Sequence, residues 1–211
     1  MDIKICGLST MDAINAVAQA GGTHAGFIFF EKSPRHVSVE AAHDLMAHAK
    51  ALGLKAVAVS VNADDDYLDD IVTRAKPDIL QLHGKEAPDR LSDVKERHSR
   101  ETWKALAVSD ASDLEKLAPY HDVADRFLLD AKPPKGSQLP GGNAVSFDWQ
   151  ILSQLPAGTD YLLAGGIDAG NVRAALGAGA PALDVSSGVE SALGVKDIAK
   201  IRAFFETASA A

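Results

Sequence analysis

The chain has almost no cysteine: Cys6 is the only one in 211 residues. That excludes an intramolecular disulfide and any site built from several thiolates, and it fits a reducing compartment. Basic residues are outnumbered too, with 21 Lys and Arg against 29 Asp and Glu for a net charge of -8. Such a balance argues against general binding of nucleic acid or of a membrane surface. No apolar run approaches the roughly 20 residues that span a bilayer; the longest, 25–30, is strand-sized. The first residues carry Asp2 and Lys4 and pass straight into patterned sequence, without the profile of a secretory leader, so a cytoplasmic location is expected. The first strand is not followed by the G-x-G-x-x-G turn of a dinucleotide fold. The seven histidines are scattered, with His43 and His48 five apart and no H-x-x-x-H, so no metal is expected.

What the chain does have is alternation. Short runs rich in Val, Ile, Leu and Ala fall at 3–6, 25–30, 55–61, 78–82, 103–108, 126–130, 160–164 and 182–186. Each is followed by apolar residues at helical spacing. Met11, Ile14 and Ala18 follow the first, with Ser9 as candidate cap; Ala42, Leu45, Met46 and Ala49 follow the second, capped by Ser38. Further helical patterns lie at 64–75, 87–98, 110–117, 146–155, 169–176 and 195–205. Apolar strands alternating with helices give a parallel sheet buried on both sides. Eight consecutive units in this length predict an α/β fold closed as a single-domain (β/α)8 TIM barrel over residues 1–206, with 207–211 as a frayed tail. The Pro- and Gly-rich stretch 132–145 is too long for a simple turn; it is either a solvated linker or a loop over the barrel mouth.

In such a barrel the C-terminal strand ends form the mouth. The polar residues at those ends are Cys6, Arg35, Asn62, Gln81, His83, Asp130, Gly165, Gly166, Ser186, Ser187 and Gly188. The loops after strands seven and eight, with their glycines and hydroxyls, match the recurrent phosphate site of this fold, where backbone N–H groups hold an anion even in an acidic protein. Cys6 and Asp130 sit on strands well apart around the ring, so their tips face across the mouth, placed for proton transfer at two points of one substrate. A bland reading exists for each: a small buried apolar residue for Cys6, an ion pair with Lys132 or Lys4 for Asp130, a loop hydrogen bond for His83. Lys4 points the same way as Cys6, and Asp184 the same way as Ser186. Closure sets strand eight beside strand one and predicts a Lys4–Asp184 pair inside the barrel, supporting the site from below.

Lys4-Ile5-Cys6-Gly7-Leu8, Ser33-Pro34-Arg35, Val61-Asn62, Gln81-Leu82-His83-Gly84, Gly165-Gly166 and Asp184-Val185-Ser186-Ser187-Gly188-Val189-Glu190 together resemble the phosphoribosylanthranilate isomerases, in order and over essentially the whole chain. The glycine-rich loop reads Gly141-Gly142-Asn143-Ala144 where that family often has Gly-Gly-Thr-Gly, and Ser9 stands for a usual threonine. The resemblance implies an Amadori rearrangement of N-(5-phosphoribosyl)anthranilate, with Asp130 as general acid and Cys6 as general base. It also implies Arg35 on the substrate carboxylate and Gly165, Gly166, Ser186, Ser187 and Gly188 on the phosphate. No cofactor is implied, and the partner is a small phosphosugar, with the chain a monomer or homodimer. The rivals are a related aminosugar-phosphate isomerase, an indole-glycerol-phosphate synthase, and a barrel that binds a phosphorylated ligand without turnover.

Overall fold

The structure, a computed structural model, describes residues 1–133, 136–137, 141–142 and 146–210. Eight parallel strands close into a barrel in sequence order: β1 (Asp2–Cys6), β2 (His24–Phe29), β3 (Lys55–Ser60), β4 (Ile79–Leu82), β5 (Glu101–Val108), β6 (Arg126–Ala131), β7 (Tyr161–Leu163) and β8 (Ala182–Val185). Strand β8 pairs with β1, with Lys4 opposite Asp184, which leaves the barrel sheet without an edge.

Alternation along each strand separates two cores. Outward residues such as Ile3, Ile5, Phe27, Phe29, Leu129 and Leu163 pack under the surrounding helices. Inward residues, among them Val57, Val59, Ile79, Trp103, Leu128 and Leu162, fill the barrel beneath Cys6. The barrel is therefore a packed plug in which apolar layers enclose a few buried polar groups, among them Lys4, Gln81 and Asp184.

The helices are α1 (Met11–Gln19), α2 (Val39–Ala51), α3 (Asp65–Asp70), α4 (Pro88–His98), α5 (Val172–Gly177) and α6 (Ile198–Ser209). Ser38 caps α2 as expected, accepting from the Ala41 N–H at 3.2 Å. The cap of α1 is Thr10, not Ser9: the Thr10 hydroxyl accepts from Ala13 N–H, one turn in. Two expected helices are 3₁₀ turns. Over Ala111–Tyr120, Pro119 sits inside the segment and withholds an N–H; Trp149–Gln154 is cut short before Pro156. The pattern 64–75 divides into α3 and a π-helical turn, Ile71–Ala75.

The largest departures are at the C-terminal end. Val195 and Lys196 do not open a helix; they form β10 (Val195–Lys196), which pairs antiparallel with β9 (Glu190–Ala192). Asp197 caps α6 through the Ala199 and Lys200 N–H groups, so the helix starts there. Of the tail expected to fray, residues 207–209 form the last turn of this helix: α6 runs to Ser209 and Ala208 is buried; residue 211 lies outside the described residues. No helix among the described residues is long and apolar enough to cross a membrane.

Candidate active site

Cys6 ends β1 on the inner face, buried and opposite Gly26 on β2. A Cβ at Gly26 would lie 3.0 Å from the Lys4 Cε and 3.1 Å from the Cys6 sulfur, so the glycine makes room for both side chains. Below the thiol, the fully buried Lys4 ammonium donates to Asp184 Oδ1 at 2.7 Å. The pair expected from strand parity is present. Burial alone would discharge Lys4, but Asp184 and Cys6 raise its pKa above the ordinary lysine value. For Cys6, burial pushes the thiol up; Lys4 and Lys196 pull it back, while Asp184 opposes them, and the net direction is upward. Lys196 reaches this corner from β10, donating to the Ser186 carbonyl at 3.0 Å and to Glu190 Oε1 at 2.6 Å.

Across the cleft, Asp130 on β6 faces His83, with Nε2 and Oδ2 3.4 Å apart. Lys4 is spent on Asp184, and the partner that meets Asp130 is the histidine. Gln81, buried one layer down on the same face of β4, holds the other ring nitrogen, Nδ1, at 3.0 Å from its amide nitrogen. With that amide as donor, Nδ1 accepts and Nε2 carries the proton directed at Asp130. Gly141 closes over this pair: a Cβ there would stand 2.4 Å from Asp130 Oδ2. Gly141 and Gly142 both line the cleft, which favours the covering reading of the 132–145 stretch; Asn143 and Ala144 lie outside the described residues.

Asn62 is not in the cleft lining among the described residues; it stands behind the rim, at φ +49°. Its Oδ1 accepts from Lys85 N–H at 2.7 Å and its own N–H donates to Glu86 at 2.8 Å. Glu86 also accepts from Gly84 N–H and from buried Lys104 at 2.7 Å. Burial raises the Glu86 carboxyl, but the Lys104 ammonium outweighs it and holds the carboxyl below its usual range, while burial lowers the pKa of Lys104 itself. This knot fixes the turn that carries His83.

Arg35 follows β2 in a tight turn in which Ser33 Oγ accepts from its backbone N–H at 3.2 Å. Arg35 lines the cleft but is 3% exposed, its guanidinium held in fork geometry by Glu190 at 2.7 and 2.9 Å. Gly165, Gly166, Ser186 and Ser187 line the same cleft as Cys6, Arg35, His83, Asp130 and Asp184. Gly165 and Gly166 have φ of +88° and +64°, and a Cβ at Gly165 would meet the Ala131 backbone at 2.6 Å. Ser186 Oγ is turned to the Cys6 carbonyl at 3.1 Å, tying β8 to β1. Gly188 is not in the cleft lining among the described residues; it lets the β8 loop touch the β7 loop, since a Cβ would lie 2.0 Å from the Ile167 carbonyl oxygen. No group of three or more His, Cys, Asp or Glu able to hold a metal occurs among the described residues.

A comparison with known proteins gives this arrangement its relatives. The sequence profile described as N-(5'phosphoribosyl)anthranilate (PRA) isomerase matches residues 3–207. A protein of Brucella canis named N-(5'-phosphoribosyl)anthranilate isomerase is 54% identical over 207 residues, 98% of this chain and 93% of its own. The chain belongs to the phosphoribosylanthranilate isomerase family. Among solved members, the enzyme of Thermotoga maritima is 29% identical with a TM-score of 0.86, both chains fully covered. Another, described as a complex with reduced 1-(O-carboxyphenylamino)-1-deoxyribulose 5-phosphate, is 28% identical with a TM-score of 0.83, again over both whole chains.

Within this family frame, four buried charges at the mouth escape a reading of strand ends: Lys196, Glu190, Glu86 and Lys104. Lys104 had a visible signal, because a lysine on the outward face of a strand sandwiched by helices needs a partner. Glu190 and Lys196 flank a hairpin that the helical pattern at 195–205 conceals.

Proposed function

We infer that the chain catalyses the family's isomerisation of N-(5-phosphoribosyl)anthranilate to 1-(2-carboxyphenylamino)-1-deoxyribulose 5-phosphate. The observation that carries the reading is one cleft shared by a thiol on β1, a carboxyl on β6, a guanidinium after β2 and the glycine loops after β7 and β8. Asp130 protonates the furanose ring oxygen as the ring C–O bond breaks, leaving an open-chain iminium. That cation acidifies the C2′ hydrogen, and the Cys6 thiolate removes it; the C–H electron pair moves into the new C=C bond and the iminium nitrogen becomes an enamine. Protonation at C1′ and loss of the enol proton complete the ketone. The iminium is the electron sink, so the steps call on no cofactor.

Binding follows from charge. The substrate is dianionic at phosphate and anionic at carboxylate, and a protein of net charge -8 attracts it through local groups only. Backbone N–H groups of the loops at Gly165, Gly166, Ser186, Ser187 and Gly188 suit the phosphate. Arg35 suits the carboxylate, because a planar fork matches it. Lys4, Gln81 and Asn62 support these groups from behind, and His83 and Asp184 support them from the cleft wall.

The test is the loss of substrate fluorescence as N-(5-phosphoribosyl)anthranilate is rearranged. Cys6→Ala and Asp130→Asn are each expected to lower kcat by about 10²–10⁴, the usual worth of a positioned acid or base. Full activity in either variant removes that residue from the chemistry, and binding of a product analogue without wild-type turnover favours a silent phosphate-binding barrel.

A further inference from the structure

Glu190 begins β9, is buried, and is outside the cleft lining among the described residues. Both its oxygens are nonetheless engaged. Oε1 accepts from Arg35 Nε at 2.7 Å and from Lys196 Nζ at 2.6 Å; Oε2 accepts from Arg35 Nη2 at 2.9 Å and from Gly194 N–H at 3.1 Å. Two parallel bonds to a guanidinium fix its plane as well as its position. The stem is equally confined: a Cβ at Gly7 would lie 2.7 Å from Arg35 Cδ, and one at Gly142 would lie 2.7 Å from Nη1. Nη1 is the guanidinium corner that Glu190 does not take. The hairpin carrying Glu190 is itself seated on the Arg35 turn, where a Cβ at Gly194 would stand 2.6 Å from the Pro34 carbonyl oxygen.

A carboxylate paired with Arg35 should repel a second, incoming one. Lys196 removes that objection. With all three ionised, Arg35, Lys196 and Glu190 together carry two positive charges and one negative, one net positive charge in the buried cluster.

We propose that Glu190 is a positioning residue for substrate selection: it locks the Arg35 guanidinium with its Nη1 corner toward the cleft, and so sets the preference for a substrate bearing an aryl carboxylate. The proposal rests on the reading of Arg35 as the carboxylate's partner. The alternative is a staple that only joins the hairpin to the β2 turn.

The two are separated by kcat/KM for wild type, Glu190→Gln and Glu190→Asp on N-(5-phosphoribosyl)anthranilate and on N-(5-phosphoribosyl)aniline, which lacks the carboxylate. In Glu190→Gln the preference for the anthranilate substrate is expected to fall about tenfold or more, mainly through KM, the worth of one charge-assisted hydrogen bond. Glu190→Asp keeps the charge but withdraws it by one methylene, and is expected to lose part of the preference; it serves as the reading if the glutamine variant does not fold. A staple lowers both substrates equally, and an unchanged ratio in the folded variants overturns the proposal. A wild type that turns over both substrates without preference overturns it together with the Arg35 assignment, whereas absence of turnover with either is the failure of the isomerase reading itself.

Discussion

Cys6 has to act as a thiolate in a place that favours the thiol. Burial raises its pKa, and the two lysines that counter burial, Lys4 and Lys196, are themselves held by Asp184 and Glu190. The free enzyme therefore carries the base mostly protonated at neutral pH, and kcat/KM is expected to rise with pH as the thiolate fraction grows. Lys4→Met removes the cation beneath the sulfur and should move that rising limb to still higher pH. A pH profile whose limb stays in place would show that Lys4 only fills space under the site. Asp130 differs in kind, since a polar ring faces it: His83 Nε2 lies 3.4 Å from its Oδ2, and the missing side chain of Gly141 leaves room above.

At the scale of elements, the mouth is positioned by buried ionic knots behind the strand ends. Lys104, outward on β5, reaches the Leu82 and Gly84 carbonyls and Glu86, and Glu86 in turn gathers the N–H groups of Asn62 and Gly84. Removing one partner leaves a charge with no water. Lys104→Met is expected to cost about 3–5 kcal/mol in urea unfolding, whereas adding Glu86→Gln should recover a good part of the loss. A double variant no more stable than the single would mean that the carboxylate was not the group left stranded. The hairpin of β9 and β10 plays the corresponding part on the other side of the mouth, holding Arg35 through Glu190 and approaching the thiol through Lys196.

For the whole molecule, the closed end of the barrel carries its own titration. His24, inward at the start of β2, packs against Trp103 with ring centroids 5.3 Å apart and bonds Thr23 Oγ1 through Nδ1 at 2.7 Å. Burial lowers its pKa from 6.5 to about 4; Asp2 works against this, and Lys4, Arg126 and Lys55 add to it. Between those two values the unfolded chain binds a proton that the folded one refuses, so stability falls as pH drops from 6.5 toward 4. The loss is up to about 3 kcal/mol, at about 1.36 kcal/mol per pH unit. Urea midpoints at pH 7 and pH 4.5 measure it, and His24→Gln should shrink the difference. An equal difference in the variant would place the acid sensitivity elsewhere.

The sequence by itself determined the barrel, because strands buried on both faces must be apolar throughout while the helices between them need apolar residues on one side only. It also determined the rim, since Cys6, Arg35, Asp130, Gly165, Gly166 and Ser186 lie where strands end. Even the Lys4–Asp184 pair was legible, because period-two alternation and closure of β8 on β1 are rules of geometry that need no partner search. The other charge pairings became visible only in the folded chain. Arg35 and Glu190 are 155 positions apart, and Lys104 within β5 meets Glu86 on the turn after β4. Local propensity describes how a segment folds and carries no address for a distant partner. The hairpin at 190–196 was hidden for a related reason: the 195–205 pattern has helical spacing, yet Asp197 takes the first free N–H groups and starts the helix past Lys196. That leaves the lysine in a strand, its ammonium buried beside the thiol and not on the surface of a helix.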